Sequence, residues 1–156
     1  RQAERREAEE HFNFRGLLQF QRDSFAKPPV GPLRFKDPEP PEKYNDVWDA
    51  TQERLPCIQK SFAYSGIGGD EDCLYLNVYT PKLPEKGDAL KPVMFYSFGG
   101  GYTEGQKDAF FYGPDFLVAK DVVLVISNYR LHIFGFLNLG IPECPGNQGL
   151  KDHLLL

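Results

Sequence analysis

The chain has 156 residues, 41% of them hydrophobic and 14% aromatic, which is enough apolar surface for one globular core. Its formal net charge is −4, with Lys and Arg scattered among the acids, and this argues against a nucleic-acid partner. No apolar run approaches the ~18 residues of a membrane span, and the opening RQAERREAEE lacks the apolar centre of a signal peptide, so any targeting segment is expected to lie upstream or to have been removed.

Arg1 to Glu10 is nearly all charged or helix-favouring, without an apolar stripe, and reads as a solvated helix or a loose arm. Six prolines between Pro28 and Pro41 forbid a long helix and impose extended chain that wraps a surface. From Asp72 to Pro81, Leu74, Leu76 and Val78 alternate with Tyr75, Asn77 and Tyr79, the two-residue period of a strand. Pro92 to Phe98 and Val122 to Ser127 are unbroken apolar runs of strand length, expected to be buried on both faces. The connection between them contains a short helix expected over Asp115 to Lys120; it is too long for a hairpin and predicts a parallel β–α–β crossover. Beyond Val125 little helix is expected until GLKDHLLL begins, so the layer that should cover a parallel sheet is unfinished.

The cysteines, Cys57, Cys73 and Cys144, fit no zinc-ligand spacing, and the sequence implies neither a metal nor another cofactor. A bond between Cys57 and Cys73 would close a loop of about 15 residues, worth ~3 kcal/mol in the chain-entropy model, and would point to an oxidising compartment. Two reduced thiols in a cytosolic protein fit the same spacing equally well. Cys144 is left over in either case.

Directly after the first apolar run stand Gly99-Gly100-Gly101-Tyr102, with Gly105 close behind. Ligand sites in open parallel sheets form beyond the carboxyl ends of the strands, where this loop falls. Consecutive glycines carry no Cβ to shield their amides, so their N–H groups can converge on a developing oxyanion. A dinucleotide fingerprint begun at Gly99 fails because Glu104 stands where glycine is needed, and a P-loop begun at Gly100 fails at Gln106. Taken alone, the triple glycine also fits a flexible turn without function.

SFGGGY resembles the oxyanion loop of type-B carboxylesterases and cholinesterases. AKPPVGPLRF at 26–35, GDEDCLYLNVYTP at 69–81, VLVISNYRLHIFGFL at 123–137 and PGNQGLKD at 145–152 resemble the same family, in the same order, the insect members above all. The resemblance implies an α/β-hydrolase fold: a mostly parallel sheet with an antiparallel N-terminal portion, here incomplete. Residues 25–156 would be the N-terminal portion of that single domain, behind an atypical arm at 1–24. It implies that the amides of Gly100 and Gly101 donate to the oxyanion while Gly99 shapes the turn, a third donor coming from the residue after the nucleophile. Tyr102 falls on the gorge wall, where substrate contact and plain loop packing are both open, and Trp48 falls near the core.

The same resemblance pairs Cys57 with Cys73 as a disulfide, which favours the secretory lumen or the outside of the cell over the cytoplasm. It also pairs Arg34 with Glu71 and Arg130 with Asp152 as buried structural salt bridges. The chain departs from the family at Phe98, at His132 where Gly is usual, and at His153 where Gln is common; none of these matches the family's catalytic histidine. No Gly-x-Ser-x-Gly elbow occurs around Ser24, Ser61, Ser65, Ser97 or Ser127. The expectation is a piece of a hydrolase of small-molecule carboxyl esters that is inactive alone, an oxyanion hole without nucleophile and base being unable to turn over. The alternatives are a non-catalytic cholinesterase-like adhesion module and a short pseudoenzyme. No signal marks the particular ester or an oligomeric state.

Overall fold

The computed structural model describes residues 11–12, 18–43, 50, 52–61 and 66–156. The expected arm at Arg1 to Glu10, Trp48 and Ser65 lie outside them. In chain order the strands are β1 (His11–Phe12), β2 (Leu18–Ser24), β3 (Gln59–Ser61), β4 (Gly66–Gly68), β5 (Tyr75–Thr80), β6 (Val93–Tyr96), β7 (Val123–Ser127), β8 (Asn138–Ile141) and β9 (Cys144–Pro145). The helices are α1 (Asp115–Val118), α2 (His132–Phe136) and α3 (Gln148–Leu155).

The main sheet runs β1-β2-β5-β7-β6, while β3-β4 and β8-β9 form two small ribbons. Its β1-β2, β2-β5 and β5-β7 pairings are antiparallel, and β6 runs parallel to β7, with Val93 opposite Val123 and Tyr96 opposite Ile126. The expected helix lies in the crossover as α1. Its Val118 joins Tyr79, Leu124 and Ile126 in one of the buried clusters.

The period of β5 is as expected, but its more polar side is the deeper one. Tyr75, Asn77 and Tyr79 are buried, whereas Leu76 and Val78 are half-buried. Burial of these polar tips is tolerable because each has a partner. Tyr75 Oη donates to Asp72 Oδ1 at 2.8 Å, and Asn77 Nδ2 donates to Glu53 Oε1 at 2.9 Å and to Tyr79 Oη at 3.0 Å.

Burial on both faces, expected for both apolar runs, fails for β6. Val93, Met94, Phe95 and Tyr96 are 65%, 44%, 47% and 40% exposed, because β6 is the sheet's edge and no strand among the described residues lies beyond it. β7 has a neighbour on each side, since β5 runs back alongside it, and its Leu124, Ile126 and Ser127 are buried. Residues 132–136 form the short helix α2, where little helix was expected. The proline-rich stretch is extended apart from one 3-10 turn at Gly31–Leu33, and it folds back on itself where Lys27 N donates to Glu39 O at 2.9 Å.

Candidate active site

The glycine loop leaves β6 under tight control. Phe98, 3% exposed, stacks on Tyr129 with ring centroids 4.7 Å apart, and Tyr129 Oη donates to the Phe98 carbonyl at 3.2 Å. The strand exit is thereby pinned one residue ahead of Gly99. Gly100 then takes φ 135° and Gly101 φ 59°, and Tyr102 follows at φ 63°. The Gly100 carbonyl accepts from Thr103 N at 3.1 Å, Glu104 N at 3.3 Å and Thr103 Oγ1 at 3.0 Å, closing a tight turn. A Cβ on Gly100 would run into the Glu104 carbonyl oxygen, so glycine is required there by space as well as by φ.

Two more contacts fix the far side of the loop. The Tyr102 carbonyl accepts from His132 N at 2.8 Å, and the Tyr102 ring lies 5.0 Å from that of Phe136. Gln59, 3% exposed, grips Gly105 from both sides: Nε2 donates to the Gly105 carbonyl and Oε1 accepts from the Gly105 amide, each at 2.8 Å. The turn is thus held at Phe98, Tyr102 and Gly105. Between these anchors the amides of Gly100 and Gly101 donate to nothing among the described residues, and both glycines are exposed.

The remaining sequence candidates are placed as follows. Cys57 and Cys73 are disulfide-bonded, with Cα atoms 4.9 Å apart, and Cys144 is free and buried. Arg130 and Asp152 are 3% and 0% exposed. Arg130 Nη2 meets Asp152 Oδ1 at 2.6 Å, Arg130 N and Nε each reach Oδ2 at 2.9 Å, and Nη1 donates to the Lys36 carbonyl at 2.8 Å. Arg34 forks onto Glu71 at 2.5 and 2.7 Å, but its side chain is 44% exposed, because it stands on the outer side of the proline-rich stretch and not in the core. Tyr102 is 54% exposed.

His153 lies between Phe95 and Tyr129, with Nε2 3.1 Å from Ser97 Oγ; burial pushes its pKa down, Asp152 opposing. The sequence reading missed Gln59 and the buried group around Lys107. Lys107, 1% exposed, donates to Glu53 Oε2 and Asn77 Oδ1, each at 2.7 Å; burial lowers its pKa against the pull of Glu53. It lines a cavity of about 200 Å³ with Glu53, Arg54 and Asn128, a lining that excludes the triple glycine. A lysine or a glutamine in isolation carries no periodic signal, so only the folded contacts expose these roles. Among the described residues no group of three His, Cys, Asp or Glu is placed to hold a metal.

A sequence profile of the carboxylesterase family matches residues 7–156. The chain is 47% identical to juvenile hormone esterase of Tribolium castaneum over 145 residues, covering 92% of this chain and 24% of that protein. It is 42% identical to esterase B1 of Culex pipiens, covering 94% and 26%, and 41% identical to acetylcholinesterase of Electrophorus electricus, covering 84% and 22%. Among solved structures, juvenile hormone esterase from Manduca sexta, with OTFP covalently attached, superposes with a TM-score of 0.79 at 39% identity, over 89% of this chain and 27% of that one.

These residues therefore form an N-terminal portion of an α/β-hydrolase fold. The chain belongs to the carboxylesterase family, and it spans about a quarter of the length of the relatives it matches.

Proposed function

We propose that this chain supplies the oxyanion loop of a carboxylic-ester hydrolase, with Gly100 and Gly101 as amide donors and Gly99 as the shaping residue. The observation that carries the reading is the pair of uncommitted amides beyond the carboxyl end of a parallel strand, in a turn anchored on both sides. Donors fixed in advance stabilise the charge that grows on an attacked carbonyl without reorganising during the reaction. Tyr102, exposed beside the turn, contacts the acyl or alcohol part of the ester. Arg34–Glu71 and Arg130–Asp152 are scaffold. Residues 25–156 are one portion of a single hydrolase domain, with 1–24 as its arm.

The Gly-x-Ser-x-Gly elbow is absent from these 156 residues, so on their own they turn over no ester. The Cys57–Cys73 bond favours a secretory compartment, the acidic balance disfavours nucleic acid, and no helix among the described residues is long and apolar enough to cross a membrane. The test is a chimera in which residues 7–156 replace the matching segment of the Tribolium juvenile hormone esterase. Activity on a p-nitrophenyl ester is expected. Gly100→Ala in that chimera should lower kcat by about 10²-fold or more, and unchanged kcat would remove the oxyanion role.

A further inference from the structure

His153 stands out in the sequence as a departure without a partner, and the fold gives it one. Phe95 and Ser97 are two residues apart on extended chain, so their side chains share a face. That face meets α3. The Phe95 ring approaches the His153 imidazole edge-on, with centroids 5.8 Å apart and planes at 82°, while the Tyr129 ring stands 4.5 Å away. Held between two aromatic rings, the imidazole puts Nε2 3.1 Å from Ser97 Oγ. Among the described residues nothing buries Ser97 itself, which is exposed. Two other described serines are differently placed: Ser127 Oγ is buried, and Ser24 Oγ donates to the Ala26 carbonyl at 2.7 Å.

We propose that Ser97 and His153 form a nucleophile–base pair that accepts an acyl or phosphonyl group from an activated ester or phosphonofluoridate. Ser97 Oγ bonds to the electrophilic carbon or phosphorus while its proton passes to His153 Nε2. The bond to the leaving alkoxide or fluoride breaks, and His153 returns the proton to the departing group. The geometry meets the requirement of hydrogen-bond reach between nucleophile and base. Burial also keeps the imidazole in its basic form at neutral pH.

Among the described residues the pair has no acid. His153 Nδ1 is buried without a partner among the described residues, and both Asp152 oxygens are engaged by Arg130. Loss of the orienting carboxylate costs serine hydrolases about 10⁴ in turnover. The site therefore acylates slowly and stoichiometrically and does not turn over. Nothing in this step uses the Gly100 and Gly101 amides, so it stands or falls separately from the oxyanion reading.

The experiment treats the 156-residue chain with a fluorophosphonate probe at pH 7.5 and locates the adduct by peptide mass spectrometry. An adduct on Ser97 is expected, lost in Ser97→Ala and formed about 10²-fold more slowly in His153→Gln, the order of magnitude a general base supplies. Circular dichroism checks that both variants fold. The denatured chain, which keeps the serine but loses the pairing, should label no faster than His153→Gln. An unlabelled Ser97, an adduct rate indifferent to His153→Gln, or a denatured chain that labels as fast as the native one would each overturn the proposal.

Discussion

At Gly100 backbone strain and crowding act together: φ of 135° is hostile to any side chain, and the Glu104 carbonyl fills the space a Cβ would need. Gly100→Ala in the isolated chain is expected to cost about 1–3 kcal/mol, read as a shift of the urea midpoint. Gln59 holds the other end of the loop. Gln59→Leu strips two partners from Gly105 and is expected to destabilise by about 2 kcal/mol or more, with faster hydrogen exchange at the Gly105 amide as the local signature. The tight turn at the triple glycine was legible because three adjacent residues without Cβ directly after an apolar run mark a sharp exit from a strand. Gln59 was not, because its partner lies 46 positions away and nothing in its own sequence neighbourhood points there. The pairing of Ser97 with His153, 56 positions apart, was hidden for the same reason.

Elements tie these residues together. α3 is held by the buried Arg130–Asp152 pair, and Asp152→Ala would leave a guanidinium uncompensated in the core, an expected loss of about 3–5 kcal/mol, measured by equilibrium denaturation. His153 adds a pH dependence. Its folded pKa lies below the 6.5 of the free side chain, chiefly through burial. As pH falls through 6.5 the unfolded chain binds a proton first, so stability declines from there until the folded imidazole also protonates. Thermal melts between pH 7.5 and 5 should show this slope in the native chain and a shallower one in His153→Gln. Strands β5, β6 and β7, the parallel crossover and the short α1 were legible because alternation and unbroken apolar runs speak directly. β2 was not. QFQRDS within Leu18–Ser24 has no clean alternation, and its backbone pairs with β5 through a register shift between Phe20 and Asp23.

For the 156 residues taken by themselves, the exposed apolar side chains of edge strand β6 are expected to decide behaviour in solution. An uncovered edge of this kind recruits other chains. The 156 residues expressed alone are expected to self-associate, and Phe95→Lys should raise the monomer fraction in gel filtration; a native chain that runs as a cooperatively melting monomer would contradict this. The sequence reading expected both apolar runs to be buried on both faces and gave no sign of which would bear a loss of cover. Only the sheet order, which depends on β5 returning beside β7, shows that β6 alone bears it. Overall fold class was legible because five separated segments kept their order, whereas the exposure of Arg34 depended on which side of the proline-rich stretch it took.

Arg130 also sets a timetable. Its guanidinium joins the Lys36 carbonyl, 94 positions earlier, to Asp152, 22 positions later. During synthesis on the ribosome the early carbonyl waits for the arginine, and the arginine in turn waits for a carboxylate that emerges only after the glycine turn and both later helices have begun to appear. A polypeptide stalled before Asp152 would hold the strands described here and still lack the clasp that locks them, leaving it exposed to chaperones and proteases for as long as elongation pauses there.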